Sequence, residues 1–434
     1  MRITRKAAGA ASATAAIALV LTACGGGDTG SGDGDDGGDV TLTIAWWGDD
    51  DRASKYEESI DLFEEANPGI TVQTQFQAWD DYWVARNTEA AGSSLPDVFQ
   101  MDLSYLRQYG STGQLADLSE YTGSAIDTSG FEEALLSSGA IEGAQYGIPT
   151  SQNTLAMFYN GDVLDKIGVE PLEEGYTWDD LNAFIAEASA AGAGEDPAIY
   201  GSADYTGTFW FFLQWLLQQG VQPFTEDGAL NFDEAQMTEF LGLASELRDA
   251  GEFFPQERTT QLAPLSGFTS NEVGNEASWD NFLAGYVSDS GTENIHMLPM
   301  PSGDGGPQQF WKPSMLLSSG ANSEHPEEAA ELISFLVNDP DVGEIFGTSK
   351  GVPAVAAQRD AMNVEEGSID ETVLAYEESV AADVTESAPL PVEGFGSIEA
   401  EYKRLAEELG YGNITVDEFV EQWFTFAADA VGQS

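Results

Sequence analysis

Tryptophan and carboxylate side chains occur together at several predicted turns of this sequence, and such pairs suit the binding of sugars. A sugar ring presents an apolar C–H face that stacks on a flat aromatic ring, and its hydroxyl groups bond to carboxylates and amides. The chain holds 10 Trp and 14 Tyr. Trp47, Asp49 and Asp50 follow a predicted strand, at the edge where the cleft loops of open α/β sheets arise. These three residues are therefore candidates for a carbohydrate site.

Two further candidates, Asp102 and Trp210, follow from the same combination of residue type and position. Asp102 follows a predicted strand at residues 96–101 that ends at the same sheet edge. Each of the acids has a second interpretation, in which it caps the following helix, and at the first turn Trp46 or Trp47 then packs in the core. Residues 209–217 are dense in aromatics but have the pattern of a buried helix, so only Trp210 at its start is a candidate.

The composition excludes several other chemistries. Cys24 is the one cysteine in the sequence, so neither an intrachain disulfide nor a CxxC metal or redox site can form. The two histidines, His296 and His325, occur in no HExxH or HxH pattern, which argues against a histidine zinc site. We expect no cofactor and no metal site.

The charge of the chain also restricts its partners. With 15 Lys+Arg against 75 Asp+Glu the net charge is −60, which argues against binding nucleic acid or anionic headgroups. The acids are spread along the whole chain, so we interpret them as a solvated surface suited to high salt. Few basic residues precede Lys166, and we therefore expect a neutral solute rather than an anionic one. The basic residues between positions 40 and 165 are Arg52, Lys55, Arg86 and Arg107.

The elements that must position these residues alternate between strands and helices. Residues 40–46 and 70–76 have strand patterns, and residues 52–66 between them carry apolar side chains at helical spacing. A helix at residues 80–91 and the strand at residues 96–101 continue this order. The succession predicts an α/β fold with a parallel sheet covered by helices.

The N-terminal residues have the features of an export signal. Basic residues in the first six positions precede an apolar run at residues 7–21 that is too short for a permanent membrane span. Leu21-Thr22-Ala23-Cys24 resembles the bacterial lipoprotein signal, which implies that residues 1–23 are a signal peptide and that Cys24 is lipidated. The alternative is an ordinary secretory signal with an accidental cysteine. Residues 24–39 are mostly Gly, Asp, Ser and Thr, which predicts a flexible tether.

From Val40 onward, the motifs and their order resemble a family 1 extracellular solute-binding protein. The first of them are Asn67-Pro68-Gly69-Ile70 and, after the next helix, Pro96-Asp97-Val98 with Met101-Asp102. Downstream motifs complete the pattern: Gly147-Ile148-Pro149-Thr150, Thr177 as N-cap before Trp178-Asp179-Asp180-Leu181, Lys312-Pro313-Ser314, and Gly351-Val352-Pro353. The resemblance implies a two-lobed periplasmic-binding-protein-like fold (type II), with mixed sheets flanked by helices, a ligand cleft and a hinge.

The resemblance also implies lobe boundaries. We expect residues 40–149 and 315–337 in lobe 1, and residues 151–311 and 338–434 in lobe 2. The chain then crosses between the lobes near residues 146–153, 309–314 and 337–342. Solute binds between the lobes, and the hinge closes over it.

Further candidate binding residues come from the same resemblance. Asn153 corresponds to a polar cleft position, and Trp279-Asp280 to a position that often stacks on sugar. Trp79, Trp311 beside a crossing, and Phe395 near the C-terminal helices are added as lining residues. The predicted substrate-binding set, which has no catalytic member, is Trp47, Asp49, Asp50, Trp79, Asp102, Asn153, Trp210, Trp279, Asp280, Trp311 and Phe395.

The function that the resemblance implies is solute capture for import. We expect a lipoprotein, held at the extracytoplasmic face of the cell membrane, that binds a di- or oligosaccharide and delivers it to an ABC transporter permease. Such a protein is a monomer and not an enzyme. One alternative is a binding protein for another solute, such as a polyamine, which would suit the acids. The other is a secreted glycoside hydrolase, although the strand–helix order does not give eight repeated βα units.

Overall fold

The computed structural model describes residues 40–225, 227–384 and 386–431. The predicted signal peptide at residues 1–23, the lipidation site Cys24 and the tether at residues 24–39 lie outside the described residues. Within the described ranges, no helix has the length and apolar character needed to span a membrane. The same ranges contain no group of three or more His, Cys, Asp or Glu side chains placed to hold a metal ion.

Strands and helices alternate at the start of the described chain, and helices dominate its end. The strands are β1 (Val40–Trp47), β2 (Ile70–Gln77), β3 (Val98–Met101), β4 (Ala140–Ile141), β5 (Ala144–Gln145), β6 (Ile148–Asn153), β7 (Leu155–Asn160), β8 (Tyr200–Ser202), β9 (Val273–Trp279), β10 (Ile295–Leu298), β11 (Phe310–Ser318), β12 (Val352–Pro353) and β13 (Glu386–Ser387). The helices are α1 (Asp50–Ala66), α2 (Trp79–Ala91), α3 (Leu103–Ser111), α4 (Glu133–Ser137), α5 (Gly161–Ile167), α6 (Trp178–Gly192), α7 (Phe209–Gln218), α8 (Glu234–Gly242), α9 (Ser245–Ala250), α10 (Gln256–Leu262), α11 (Leu283–Ser290), α12 (Pro326–Asn338), α13 (Pro340–Phe346), α14 (Ala356–Ala361), α15 (Ile369–Val380), α16 (Phe395–Gly410) and α17 (Val416–Val431). Short 3₁₀ helices cover Tyr205–Gly207 and Asp280–Phe282.

The first sheet has the strand order β12-β6-β11-β3-β1-β2, with β13 paired to β11. β1 is parallel to β2 and β3, whereas β11 is antiparallel to β3 and β6. At its carboxyl end β1 is buried on both faces, because both Trp46 and Trp47 are buried. The result is a mixed sheet flanked by helices, which confirms the predicted α/β class.

The second sheet has the order β10-β7-β9-β8. β7 is antiparallel to both of its neighbours, and β8 is parallel to β9. Only Thr154 separates β6 from β7, so the chain passes there directly from the first sheet to the second. It returns between β10 and β11. These two passages lie beside the predicted crossings at residues 146–153 and 309–314.

The segment after α12 stays with the first sheet. β12 pairs with β6, and Phe346 of α13 packs in the same apolar cluster as Ile44 of β1. Further along, Val373 of α15 packs in the cluster that contains Phe158 of the second sheet. Val352 of β12 packs in this same cluster, so β12 contacts both sheets, and the crossing expected near residues 337–342 stays a prediction.

Local sequence signals explain where several helices begin. Thr177 caps α6 in a capping box with Asp180, which confirms the predicted N-cap. Pro340 opens α13 at a position where its missing N–H leaves no helical hydrogen bond unmade. Helix α7 is buried along nearly its whole length, as its aromatic pattern predicts, and it carries Trp210.

Candidate functional site

A cavity of about 440 Å³ lies at the carboxyl ends of β1 and β3 and is lined by side chains from both sheets. Six of the predicted binding residues line it: Trp47, Trp79, Asp102, Asn153, Trp210 and Trp279. Eight lining residues were absent from the prediction: Arg52, Ser104, Asn281, Phe282, Lys312, Ser314, Met315 and Glu399. The lining residues extend in sequence from β1 to α16, so only the folded chain brings them together.

Trp47 and Trp79 form one aromatic pair at the cavity. Their ring centroids lie 5.0 Å apart with the planes nearly perpendicular, at 85°. The backbone N–H of Trp47 donates to Gln100 Oε1 at 3.0 Å, which fixes the end of β1. Trp47 is buried, whereas Trp79 at the start of α2 is 39% exposed. Trp79 therefore offers a supported, partly open ring face for stacking.

Trp210 and Trp279 form the second aromatic pair. Their ring centroids are 5.7 Å apart at an interplanar angle of 72°. Trp279 is the last residue of β9, and its strand neighbour is Leu155 of β7. Trp210 lies in the first turn of α7 and is buried. Trp210 belongs to α7 and Trp279 to β9, so only the folded chain brings the two rings together.

Lys312 connects the charged and aromatic parts of the cavity. Its Nζ donates to Asp102 Oδ2 at 3.0 Å, and both side chains are nearly fully buried. The same Nζ lies 5.7 Å from the ring centroid of Trp210 and 5.5 Å from that of Trp279. Asp102 also caps α3, because its Oδ1 accepts from the Ser104 backbone N–H at 2.9 Å. Asp102 therefore has both roles that the sequence suggested, as a helix cap and as a cavity-lining residue.

Glu399 adds a second carboxyl group to the cavity. Ser104 Oγ donates to Glu399 Oε2 at 3.3 Å. Burial, followed by the nearby negative charge of Asp102, raises the pKa of Glu399 to about 7, although Lys312 and Ser104 act in the opposite direction. Near neutral pH, Glu399 is thus present both as an acid that donates a hydrogen bond and as a carboxylate that accepts one.

Asn153 contributes an amide acceptor. Its Nδ2 donates to Asn281 Oδ1 at 3.1 Å, and the residue is buried at the end of β6. Among the described residues, Asn153 Oδ1 has no hydrogen-bond partner. A buried polar atom without a partner is costly, so this oxygen is suited to accept from a hydroxyl of a bound molecule.

Two predicted acids, Asp49 and Asp50, do not line the cavity. Asp49 is the N-cap of α1, and its Oδ1 accepts from the Arg52 backbone N–H at 2.9 Å. Asp50 is an exposed residue in the first turn of the same helix. Carboxylates at this position stabilise a helix through its unpaired N–H groups and its dipole. The capping interpretation of these two acids is the one that the structure supports.

Three other predicted residues lie outside the cavity for different reasons. Asp280 is fully buried, and its Oδ2 accepts from the Thr154 backbone N–H at 3.0 Å, beside the passage between the sheets. Trp311 packs against an apolar cluster behind the second sheet. Phe395 is 0% exposed, and its ring centroid lies 5.3 Å from that of Trp210, so it supports a lining residue from behind.

The residues that the sequence prediction missed differ in how visible they were. Lys312 belongs to the Lys312-Pro313-Ser314 motif beside a predicted crossing. That position could have identified it as a lining residue. Glu399 is one of many acids on an amphipathic helix, α16, and nothing in its immediate sequence separates it from the solvent-facing ones. Its place at the cavity depends on how α16 packs against α3 and α7.

Other surface cavities of similar size lack this combination of groups. One of about 440 Å³ is lined by residues such as Gln108, Glu393 and Phe426, and another of about 480 Å³ by Arg107, Glu142 and others. Neither is lined by a tryptophan. The cavity beside Trp47 is therefore the stronger candidate for binding a ring-shaped polar molecule.

Comparison with known proteins gives a consistent result. The sequence model of a family described as "Bacterial extracellular solute-binding protein" matches residues 58–367. A binding protein of Brucella abortus is 24% identical over 305 residues, which cover 69% of this chain and 72% of that protein. The arabinooligosaccharide-binding protein of Halalkalibacterium halodurans is 27% identical over 206 residues, which cover 46% of this chain and 44% of the relative.

Solved structures show the same fold. The oligogalacturonide-binding protein of Yersinia enterocolitica, in complex with saturated digalacturonic acid, superposes with a TM-score of 0.77 at 21% identity. The superposition covers 91% of this chain and 99% of that one. An extracellular solute-binding protein family 1 from Alicyclobacillus acidocaldarius covers the same shares, with a TM-score of 0.66 and 24% identity.

Proposed function

The chain belongs to the bacterial extracellular solute-binding proteins, and we propose that it captures a carbohydrate, a di- or oligosaccharide, in the cavity between its two sheets. The protein then delivers the sugar to the permease of an ABC transporter. It acts as a monomer, binds without chemical change and needs no cofactor. Substrate capture thus rests on side chains alone.

The observation that carries this proposal is the presence of four tryptophans around polar groups in one cavity. The four are Trp47, Trp79, Trp210 and Trp279. Tryptophan rings stack on the apolar faces of sugars, and the Asn153 amide and the Glu399 carboxyl group are placed to bond to sugar hydroxyls. The volume of about 440 Å³ lies within the range of roughly 300–1,000 Å³ for small-molecule sites.

The names of similar proteins support the same class of ligand. The Halalkalibacterium relative is named for arabinooligosaccharides, and the Yersinia structure is that of an oligogalacturonide-binding protein. A further relative from Streptomyces coelicolor, 28% identical over 132 residues, is a diacetylchitobiose-binding protein. All three names denote saccharides with more than one ring.

The two sheets suggest how the cavity opens and closes. In this proposal lobe 1 contains residues 40–149 and 315–337, and lobe 2 contains residues 151–311 and the C-terminal helices. The packing of α13 and β12 on the first sheet supports extending lobe 1 as far as β12. A sugar that contacts both lobes stabilises the closed form, because it binds that form more tightly than the open one.

The place of action follows from the family and from the N-terminal sequence. We place the folded domain at the extracytoplasmic face of the cell membrane, attached through lipid on Cys24 and the tether at residues 24–39. A lipidated cysteine carries two or more acyl chains, which suffices for stable attachment. Metabolic labelling with a radioactive or clickable fatty acid tests this, since the Cys24→Ser variant must lose the label.

A polyamine is the alternative solute, because Asp102 and Glu399 both line the cavity. However, Asp102 is already paired with Lys312 at 3.0 Å. A glycoside hydrolase is the alternative function, and it requires two available carboxyl groups. Both oxygens of Asp102 accept hydrogen bonds, from the Ser104 backbone N–H and from Lys312 Nζ, so this carboxylate is not free to attack a glycosidic bond.

A thermal-shift screen of the purified protein separates these possibilities. The screen uses mono-, di- and oligosaccharides, with polyamines and amino acids as controls, and the sugars are recovered and analysed by mass spectrometry. A ligand that binds the folded state raises the melting temperature by mass action. We expect a shift with one class of glycan, recovered intact. A shift with polyamines alone would favour the polyamine, and shortened glycans would identify a hydrolase.

A further inference from the structure

Arg52 lines the cavity without an acidic partner in contact with its guanidinium. Its Nη1 donates to the backbone carbonyl of Trp47 at 3.0 Å, and this is its one side-chain hydrogen bond in the described structure. No carboxylate of the described residues lies within 4.0 Å of it, although ion pairs of this kind form at seven other basic side chains. Most of the five N–H donors of Arg52 therefore remain available to a ligand.

The acids nearest to Arg52 are already engaged. Asp49 uses its carboxylate to accept from the backbone N–H of Arg52 at 2.9 Å, and Asp51 pairs with Lys55 at 2.9 Å. Burial lowers the pKa of Arg52, and the charges of Asp49 and Asp51 oppose this effect without reaching the guanidinium. Arg52 remains a partly desolvated cation, which makes a contacting anion more favourable than it would be in water.

A glycine directs Arg52 toward the cavity. A Cβ atom on Gly48 would lie 2.7 Å from Arg52 Cδ, which is closer than non-bonded carbon atoms approach in proteins. Because Gly48 has no side chain, the aliphatic stem of Arg52 packs against the backbone just after β1. The head group then lies beside Trp47, in reach of a molecule stacked in the cavity.

Lys350 places a second basic side chain behind the same wall. It is 1% exposed, and its Nζ has no hydrogen-bond partner among the described residues. The Nζ lies 3.7 Å from the ring centroid of Phe346 and 5.5 Å from that of Tyr56, one turn along α1 from Arg52. Burial, and then the charge of Arg52, lower the pKa of Lys350 to about 7.

The backbone of Lys350 is bonded to the wall of the cavity. Ser151 Oγ donates to the Lys350 carbonyl oxygen at 2.7 Å and lies 2.7 Å from Ser314 Oγ. Ser314 itself lines the cavity. The third cation of the site, Lys312, differs from the other two because Asp102 neutralises it at 3.0 Å. The positive charge without a partner is thus that of Arg52, with Lys350 behind it as a basic group that is partly protonated near neutral pH.

We propose that this wall is a subsite for a carboxylate on the bound sugar, so that the solute is an acidic glycan carrying a uronic acid residue. The planar guanidinium of Arg52 binds the carboxylate through paired hydrogen bonds, and the bound negative charge favours the protonated form of Lys350 behind it. Trp79, supported by Trp47 from the side, stacks on the ring that bears it. This inference rests on the proposed function, since it names the class of sugar that the same cavity takes. It replaces the expectation of a neutral solute, which relied on the scarcity of basic residues in the sequence.

The test uses pairs of oligosaccharides that differ only at C6, which is a carboxylate in one member and CH₂OH in the other. Calorimetric titrations with the purified protein measure both affinities in each pair. We expect at least one acidic member to bind more than about tenfold more tightly than its neutral partner, which corresponds to about 1.4 kcal/mol. Ester-sulfated analogues form a further arm, and the planar match of guanidinium to carboxylate predicts that they bind more weakly than the uronates.

Variants locate the charge preference. Arg52→Gln should reduce the affinity for the acidic member at least tenfold more than the affinity for the neutral one. Lys55→Gln is the matched control, since it removes one charge from the same helix outside the cavity and should leave the preference unchanged. Because Arg52→Gln can also affect folding, rising NaCl concentration provides an independent measurement: wild-type affinity should fall for the acidic member only.

The outcomes are separable. Tighter binding of neutral members, or a preference for acidic members that survives in Arg52→Gln, overturns the acidic subsite and leaves the proposed function standing. Tighter binding of sulfated sugars than of uronates overturns the carboxylate assignment. If no sugar of either kind binds, the proposed function fails, and the subsite fails with it.

Discussion

Lys312 lies between the carboxylate of Asp102 and the rings of Trp210 and Trp279, and this position couples the charge balance of the cavity to its aromatic walls. Each partner stabilises the ammonium group, by an ion pair on one side and by ring quadrupoles on the other. The arrangement also holds Asp102 where it caps α3. A change at Lys312 should therefore affect both stability and binding.

Replacing Lys312 with Met should destabilise the fold by about 3–5 kcal/mol, because it leaves the buried carboxylate of Asp102 without its cation. The double variant Lys312→Met with Asp102→Asn should lose less, since no unpaired charge remains. Urea denaturation measures both free energies of unfolding. Lys166→Met removes a lysine from a more exposed ion pair and serves as control, with an expected loss of under about 1 kcal/mol. Equal losses for Lys312→Met and Lys166→Met would contradict the role assigned to Lys312.

Trp279→Ala should weaken sugar binding by roughly tenfold or more, because it removes a stacking surface from the cavity. The fold should persist, since Trp279 is only partly buried at the end of an internal strand. Trp311→Ala is the matched control, as Trp311 packs outside the cavity. Titration calorimetry with the glycan found in the screen measures both. A loss of affinity in Trp311→Ala equal to that in Trp279→Ala would remove Trp279 from the site.

For single residues, the sequence identified the aromatic side chains that line the cavity better than the charged ones. Trp47, Trp79, Trp210 and Trp279 line the cavity, because tryptophan at a turn is rare enough to be informative. Acidic residues in this chain are too common for the same inference. Asp49 and Asp50 had the right positions along the sequence, yet their carboxylates serve α1.

The element of greatest consequence is the passage from β6 through Thr154 to β7. Asp280 accepts from the Thr154 backbone N–H at 3.0 Å, and Gln152 Nε2 donates to Glu377 Oε2 at 2.9 Å. Asp280 Oδ1 and Glu377 Oε1 have no hydrogen-bond partner among the described residues, and the nearby charge of Asp280 adds to burial in raising the pKa of Glu377. Both carboxyl groups are buried. The passage between the sheets is thus held by two buried carboxyl groups, and burial favours the protonated form of each.

Stability should decrease with rising pH because of this pair. Burial raises the pKa of Asp280 to about 7, and burial together with the charge of Asp280 raises the pKa of Glu377. Groups whose pKa is raised on folding bind protons more tightly in the folded state. Their contribution to stability is complete below the unfolded pKa, near 4, and is lost as the pH rises through about 7.

The wild-type protein should lose free energy of unfolding between about pH 5 and 8, and Asp280→Asn should make this loss smaller by roughly 2 kcal/mol. Glu399, whose pKa is also raised to about 7, keeps part of the slope in the variant. Urea denaturation at several pH values gives the slopes. The exposed Asp289→Asn serves as control and should leave the slope unchanged. An Asp280→Asn slope equal to that of the wild type would show that the pair does not titrate in this range.

Element order was readable from the sequence, whereas the crossing near residues 337–342 came from the family resemblance and stays a prediction. The alternation of strand and helix patterns predicted the strands β1, β2 and β3 in a parallel sheet, because buried strands and amphipathic helices have distinct periods. In the structure, β1 is parallel to both β2 and β3. The same resemblance assigned the segment after α12 to lobe 2. The two-residue strand β12, which keeps this segment on the first sheet, is too short to leave a pattern.

For the whole molecule, the net charge of −60 is the dominant feature beside the fold. Like charges on a compact surface repel one another, and salt screens this repulsion over a Debye length of about 10 Å at 0.1 M and about 3 Å at 1 M. The melting temperature should therefore rise between about 0.1 and 2 M NaCl. Sucrose at matched osmolality provides a control without ionic screening. A melting temperature that stays constant or falls with NaCl would show that the acidic surface is not an adaptation to salt.

The molecule as a whole was more predictable than its site. The order of motifs from Val40 onward gave the family, and the model match over residues 58–367 establishes it. The position of Arg52, Lys350 and Glu399 relative to the cavity depends on packing between elements far apart in sequence. Side-chain contacts of that kind leave no periodic signal in the sequence.

The most direct test of the central claim is a crystal structure of the protein with the glycan identified by the screen. We expect intact sugar rings stacked on Trp79 and Trp279, with hydroxyl groups bonded to Asn153 and Glu399. A glycan bound at another surface, or one cleaved in the crystal, would contradict the assignment of this cavity as the capture site of a solute-binding protein.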